Sequence, residues 1–124
     1  MRSKSTTLTE QELEIMKVVW ELGSGTVRDV YEALLERRKI AYTTVMTMLN
    51  ILEDKGYLKK AQGEKAYVYR PAKPKQQVIR GMVREFLDRV FNGAAEPLVA
   101  HLIEDRKLTP AELDELSRMV RRDK

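Results

Sequence analysis

The sequence predicts a mainly α-helical chain with one small β-hairpin, and three observations support this fold class. Apolar residues recur at helical spacing in six stretches, several of which begin with a threonine-based capping signal. Between the third and fourth stretches the spacing changes to alternation around a glycine-containing turn, which is typical of a hairpin. The segment Pro71-Ala-Lys-Pro74 then separates the hairpin from the remaining helices.

The composition excludes several classes of function. The chain has 124 residues, 43% of them hydrophobic, which suits one domain or a compact domain with an appendage. It has no cysteine, so it has neither disulfides nor thiolate metal sites, and we expect a cytoplasmic protein. No apolar run approaches the roughly 18 residues that span a bilayer, so we expect no membrane partner, and the charged N-terminus lacks the apolar core of a signal peptide. The net charge of +4 permits an anionic partner.

We expect no enzymatic activity, no cofactor and no bound metal. The chain has one histidine, and no carboxylate pair or glycine-rich phosphate loop occurs at motif spacing. His101 lies in an apolar stretch and is expected to be a packed or interface residue, because a single imidazole lacks the partners of a metal site. The lone Trp20 is expected to anchor the core, and stacking on a ligand is the alternative.

The first two predicted helices begin with capping boxes. Thr9 and Glu12 form the first box, and that helix is expected to run to about Leu22. Thr26 and Asp29 form the second, with aspartate in place of the usual glutamate. A basic cluster ends the second helix at residues 36–39; it could contact phosphate or simply suit the negative end of the helix dipole. The inward face of the second helix is expected to comprise Val27, Val30, Tyr31, Leu34 and Leu35.

The third stretch, residues 42–56, predicts an amphipathic helix with an unusual outer face. Its apolar stripe comprises Val45, Met48, Leu49 and Leu52. Its outer face carries Thr43, Thr47, Asn50 and Asp54, with Thr44 toward one edge. Thr43 is the expected N-cap, with Thr44 as its competitor, and Gly56 is the expected C′ residue. Short donors and methyl groups suit a duplex groove, although an ordinary solvated helix is the alternative.

The hairpin follows directly, with strands expected at residues 57–61 and 66–70. Three short helices of which the third is polar outside match a helix-turn-helix, and a hairpin in this position is a wing. Lys59 and Lys60 on the first strand, Lys65 at the tip and Arg70 on the second strand are spaced to follow a phosphate backbone. A lysine-bearing hairpin that merely keeps a sheet edge soluble is the alternative.

The predicted domains are a winged helix-turn-helix at 1–73 and a three-helix dimerisation module at 74–124. Helices are expected over about 75–92, from Pro97, and from the capping signal at Leu108–Leu113. About 50 residues are too few to enclose a core, so their apolar faces are expected to pack against a second copy. The alternative is a monomer in which these helices fold back on the first half. The expected dimerisation residues are Val83, Phe86, Leu87, Val90, Leu102, Leu113 and Leu116.

The motifs resemble those of the penicillinase-repressor family (BlaI/MecI/CopY) of winged-helix transcriptional repressors. The resemblance is carried by LTEQELEIMKVVW at Leu8–Trp20, TVRDVY at Thr26–Tyr31, YTTVMTML at Tyr42–Leu49, KGYL at Lys55–Leu58 and YVYRP at Tyr67–Pro71. It implies a bacterial repressor that binds a palindromic operator in double-stranded DNA as a homodimer. The recognition helix 43–55 would enter the major groove, and the wing 57–70 would lie on the backbone. Base contacts are then expected from Thr43, Thr44, Thr47 and Asn50, and backbone contacts from Lys59 and Lys65.

Three departures from the family pattern bear on specificity and induction. The family usually has arginine where this chain has Ile51. Its β-lactam-sensing members are cleaved at an Asn-Phe bond in the tail, where this chain has His101-Leu102, and its copper-responsive members carry cysteines that this chain lacks. The resemblance still implies a sensor or protease that relieves repression. The alternative function is a winged-helix protein-interaction module without specific DNA binding.

Overall fold

The computed structural model describes residues 7–122 and shows the predicted order of elements. The described chain divides into two compact units, one ending at Met82 and the other beginning at Val83. The two strands of the hairpin, β1 (Leu58–Gln62) and β2 (Tyr67–Pro71), pair antiparallel, with Leu58 opposite Pro71 and Gln62 opposite Tyr67. The mainly α-helical class with one hairpin is confirmed. The elements are α1 (Glu10–Leu22), α2 (Val27–Leu35), α3 (Tyr42–Asp54), β1 (Leu58–Gln62), β2 (Tyr67–Pro71), α4 (Lys75–Phe91), α5 (Glu96–Glu104) and α6 (Pro110–Arg122).

Reciprocal capping boxes begin α1 and α2, as the sequence predicts. At α1 the Glu12 N–H donates to Thr9 Oγ1 (3.1 Å) and the Thr9 N–H donates to the Glu12 carboxylate (2.9 Å). Thr26 and Asp29 exchange the same pair of bonds at α2. Two backbone donors that have no partner inside each helix are satisfied in this way, which fixes where the helices start.

The predicted cap of α3 is wrong. The N-cap is Ala41, which makes no side-chain hydrogen bond, and the helix begins at Tyr42. The Tyr42 ring packs edge-on against Tyr31, with 5.3 Å between centroids, and this packing favours a helix that begins two residues earlier than a Thr43 cap would allow. Thr43 and Thr44 therefore lie within the first turn and are not used as caps.

The helix-turn-helix encloses the core of the first unit. Val78 and Met82 of α4 pack against this core, so the first unit includes the start of α4. Leu35 was expected to face inward but is 43% exposed, because it lies about 100° around the helix from Leu34, which is buried. Trp20 is half-buried against the core and donates its indole N–H to the Lys73 carbonyl (3.1 Å). The side chains that are least exposed are Ile15, Met16, Val18, Val19, Val30, Leu34, Val45, Leu49 and Leu52.

A Schellman motif ends α3 and directs the chain into the hairpin. The Tyr57 N–H donates to the Leu52 carbonyl (2.9 Å) and the Gly56 N–H to the Glu53 carbonyl (3.1 Å). Gly56 has φ +89°, a left-handed conformation that glycine adopts without strain, which confirms it as the C′ residue.

The segment between α1 and α2 pairs with the hairpin, a contact that was not predicted. The Gly25 N–H donates to the Tyr69 carbonyl (2.9 Å), and the Tyr69 N–H donates to the Gly25 carbonyl (2.8 Å). The two residues form an isolated antiparallel bridge. This bridge fixes β2, and with it Tyr69, against the helix-turn-helix.

The second unit presents apolar side chains at its surface. Thr109 and Glu112 form the predicted capping box of α6. Across residues 83–121 no side chain is buried. Five of the seven predicted dimerisation residues are largely exposed, whereas Leu87 and Leu102 are half-buried. His101 is exposed, with its ring centroid 5.9 Å from that of Phe91. Exposed fractions on α4 and α6 are 48% for Val83, 39% for Phe86, 50% for Val90, 38% for Leu113 and 48% for Leu116.

Candidate nucleic-acid interface

The outer face of α3 presents three unpaired threonine hydroxyls. Thr43, Thr44 and Thr47 are all exposed. Within the part of the chain that the structure describes, none of these hydroxyls has a hydrogen-bond partner. The three residues line a shallow depression of about 380 Å³ together with Ile51 and Gln11. Their donors and acceptors are thus available to an external ligand.

A deeper groove of about 640 Å³ lies on the other flank of α3, between the helix and the hairpin. Cationic side chains lie over its aromatic rings. The Lys60 ammonium is 4.7 Å from the centroid of Tyr67, and the Arg28 guanidinium is 5.7 Å from that of Tyr42. Among the residues that line the groove are Arg28, Tyr42, Met46, Asn50, Lys60, Lys65, Tyr67 and Tyr69.

Asn50, a predicted base contact, is half-buried and held by the hairpin. The Tyr69 hydroxyl donates to Asn50 Oδ1 at 2.9 Å, and Lys60 Nζ lies 3.5 Å from the same oxygen. Burial raises the pKa of Tyr69, and the nearby Glu53 carboxylate adds to this. The phenol is therefore protonated at neutral pH and able to donate. Asn50 differs in this respect from the three threonines, because its oxygen already has donors within the protein.

The hairpin places Lys59 and Lys65 at the surface. Lys59 pairs in register with Arg70, and both are exposed. Lys65 is exposed in the four-residue turn between the strands. Gly63 allows this tight turn, since a Cβ at that position would lie 2.6 Å from the Ala66 carbonyl oxygen. The positions suit contact with a phosphate backbone along the hairpin and at its tip.

Sequence reasoning missed the structural roles of two hairpin residues. The sequence predicts phosphate contact for Lys60, along with Lys59, Lys65 and Arg70, and predicts only a strand position for Tyr69. Alternation along β1 and β2 was the available signal, because it puts both side chains on the same face as buried Leu58. Nothing in the local pattern indicated that this face would meet Asn50.

The basic cluster after α2 forms ion pairs within the fold. The Arg38 guanidinium donates to the Glu14 carboxylate, with a shortest distance of 2.8 Å, and this hydrogen bond lowers the pKa of Glu14. Arg37 pairs with Glu21 at 3.4 Å. Both arginines thus bind carboxylates of α1. The sequence predicted either phosphate contact or a favourable interaction with the helix dipole for this cluster, and neither prediction included these ion pairs.

A largely buried ion pair fixes the C-terminal end of α3. Lys55 Nζ lies 2.8 Å from Glu12 Oε1, and the side chains are only 19% and 6% exposed. Burial alone would raise the pKa of Glu12, but hydrogen bonds from Lys55 and the Thr9 N–H together outweigh it and lower that pKa. The pair joins the C-terminal end of α3 to the N-terminal end of α1, so it positions the exposed threonine face.

Comparison with known proteins settles the family. The family model described as "Penicillinase repressor" matches residues 8–122. The chain belongs to the penicillinase-repressor family. Members of this family are transcriptional repressors and not enzymes, and the predicted resemblance is confirmed.

Two similar proteins each align with more than four-fifths of this family member. It is 29% identical over 117 residues to the penicillinase repressor of Bacillus licheniformis, covering 94% of this chain and 91% of that protein. It is 32% identical over 104 residues to the transcriptional regulator BlaI of Mycobacterium tuberculosis, covering 82% and 75%. Among solved structures it is similar to the Bacillus licheniformis BlaI monomeric form in complex with the blaP half-operator. That match has a TM-score of 0.50 and 30% identity, covering 56% of this chain and 85% of that one.

The described residues contain no helix that is both long and apolar enough to cross a membrane.

Proposed function

We propose that this family member is a bacterial transcriptional repressor that binds a palindromic operator as a homodimer, with α3 in the major groove and the hairpin on the DNA backbone. The observation that carries the proposal is the exposed face of α3, where Thr43, Thr44 and Thr47 have no partner within the described chain. A half-operator is bound by the similar BlaI structure, which supports DNA as the partner. Such a partner implies a cytoplasmic site of action.

The two parts of this interface have different tasks. Threonine hydroxyls and methyl groups contact base edges and thymine methyl groups, which supplies sequence preference. Lys59 and Lys65 contact phosphates, which supplies affinity that falls with salt but carries no sequence information. Ile51 lies beside Thr47 in the same depression and offers only apolar contact, so the charged contact of the usual family arginine is missing here.

The exposed apolar faces of the second unit support dimerisation through that unit. Val83, Phe86 and Val90 lie on one face of α4, and Leu113 and Leu116 on one face of α6. A segment of about 40 residues with no buried side chain in its described part cannot enclose a core by itself. A second copy offers the same surface by two-fold symmetry and would place two α3 helices about one DNA turn, roughly 34 Å, apart. We therefore propose that the first unit, through its winged helix, binds DNA and that the second unit, which begins at Val83, forms the dimer.

Release of the operator would then require a further partner, a sensor or protease acting on this dimer. The stretch His101-Leu102 lacks the Asn-Phe sequence at which β-lactam-sensing relatives are cleaved. His101 is exposed at the surface of α5.

Selection of bound fragments from randomised DNA by the purified protein tests the proposal. We expect enrichment of a palindrome whose half-sites are centred one helical turn apart. Enrichment of a single unpaired half-site would contradict the homodimer, and no enrichment over the starting library would contradict operator binding and favour the protein-interaction alternative.

A further inference from the structure

We propose that Asn50 recognises a G·C base pair by donating hydrogen bonds from its side-chain amide, because Tyr69 and Lys60 occupy its oxygen from within the protein. This inference rests on the proposed function, since it requires α3 to enter the major groove. Beyond that function, it predicts which base pair the operator must have at the position that Asn50 contacts. It also adds two positioning residues that do not themselves contact that base.

The orientation of the Asn50 amide follows from its neighbours. The Tyr69 hydroxyl lies 2.9 Å from Oδ1, and Lys60 Nζ lies 3.5 Å from it. A tyrosine hydroxyl could pair with either end of an amide, but an ammonium group has only donors. The reversed amide would direct its own N–H groups at the Lys60 ammonium. The oxygen therefore faces the hairpin, and the NH₂ group is the end left to bind a ligand.

Both donors are held in place before DNA binds. Tyr69 is 2% exposed, and its backbone exchanges two hydrogen bonds with Gly25. The Lys60 ammonium lies 4.7 Å from the Tyr67 ring centroid, a cation–π contact that restrains a long side chain. Freeing the Asn50 oxygen would leave the hydroxyl of buried Tyr69 without its acceptor, which is unfavourable.

An amide with only donors available distinguishes base pairs in the major groove. The usual pairing of asparagine with adenine requires the amide oxygen to accept from adenine N6 while the NH₂ donates to N7. Here that oxygen is occupied, and the adenine N6 amino group would face an N–H. Guanine presents two adjacent acceptors, O6 and N7, whereas adenine and thymine each present one, at N7 and O4. We expect G·C to be favoured over A·T at this position by about fivefold or more, the low end of the range for a specific base contact.

The test compares consensus sequences selected from randomised DNA by the full-length wild-type protein and three variants. Wild type is expected to select G·C at one position of each half-site, and Asn50→Ala to lose preference at that position alone. Tyr69→Phe removes the hydroxyl donor and frees one lone pair of Oδ1. It is expected to reduce the G·C preference several-fold and admit A·T there. Tyr31→Phe is the matched control, since Tyr31 makes no hydrogen bond to Asn50, and its consensus should equal that of wild type.

Each outcome decides either this inference or the proposed function. An A·T pair at the Asn50-dependent position, or a consensus that Asn50→Ala leaves unchanged, would overturn the G·C assignment while leaving operator binding intact. An unchanged G·C preference in Tyr69→Phe would overturn the positioning role of the hydroxyl. No consensus with wild type would overturn the proposed function itself. Should Tyr69→Phe fail to fold, Lys60→Met removes the other donor at an exposed position and is expected to relax the same base pair.

Discussion

Replacement of Lys55 by methionine should strongly destabilise the first unit. The change leaves the Glu12 carboxylate, whose side chain is 6% exposed, without its cation. Breaking a fully buried ion pair by removing one partner costs about 3–5 kcal/mol. Two features lower that figure here: Lys55 is 19% exposed, and the Thr9 N–H still donates to the carboxylate at 2.9 Å. We therefore expect a loss of about 2–3 kcal/mol in the free energy of unfolding.

The single tryptophan provides the assay. Trp20 packs on the core of the first unit, so its fluorescence reports unfolding of that unit. In urea, with a slope of about 2 kcal/mol per molar for a small domain, the midpoint should fall by roughly 1 M. Protein concentration must be equal in all samples, because dimerisation would add concentration-dependent stability.

An exposed ion pair supplies the control. Arg38 pairs with Glu14 at 2.8 Å, but the two side chains are 40% and 25% exposed. Arg38→Met should therefore lower the urea midpoint much less than Lys55→Met, because exposed pairs contribute little to stability. The double variant Glu12→Gln/Lys55→Met should lose less than the sum of its single variants, since neither charge is left unpaired. A midpoint for Lys55→Met no lower than that for Arg38→Met would refute the reasoning.

Three further predictions concern acid stability, salt dependence and assembly. Folding lowers the pKa of Glu12 below its ordinary value of 4.5, so the ionised carboxylate stabilises the fold above pH 4.5, and this stabilisation is lost as the pH falls through the folded-state pKa. In that acid range the free energy of unfolding of wild type should lose its advantage over that of Glu12→Gln. An advantage that instead grows as the pH falls would contradict the prediction. Lys65→Ala should weaken binding to operator and random DNA alike and reduce the slope of log affinity against log salt by about one unit per protomer, whereas an unchanged slope would exclude this contact. Leu116→Glu should give monomers in analytical ultracentrifugation, because it places a charge on the apolar face of α6. Arg118→Gln, on the polar side of α6, should remain dimeric. A dimeric Leu116→Glu would exclude α6 from the interface.

Local signals in the sequence predicted most of the fold. Helix caps depend on residues that lie close together in the sequence, so they could be identified without tertiary information. These caps are the capping boxes at Thr9, Thr26 and Thr109 and the C′ glycine at Gly56. The cap of α3 was missed because Tyr42 packs on a side chain of another helix, and such packing overrides a local preference for a threonine cap.

The sequence predicted which residues form the candidate site but not their hydrogen-bond partners within the protein. Exposure of the threonine face follows from helical periodicity, which the sequence shows directly. The hydrogen bond from Tyr69 to Asn50 joins residues 19 positions apart, and the bridge from Gly25 to Tyr69 joins residues 44 apart. No periodic pattern encodes such distant pairs. The sequence indicates an asparagine that can both donate and accept, whereas the structure leaves only the NH₂ group of Asn50 available to a base.

The central claim is that the outer face of α3 recognises the operator. The most direct test measures the affinities for operator and random DNA at one salt concentration, and compares their ratio between wild type and Thr47→Ala. Loss of a single hydroxyl contact of about 1 kcal/mol should reduce that ratio roughly fivefold, with little change on random DNA, because phosphate contacts are untouched. An equal loss of affinity on both DNAs, or none on either, would contradict recognition of the operator by the outer face of α3.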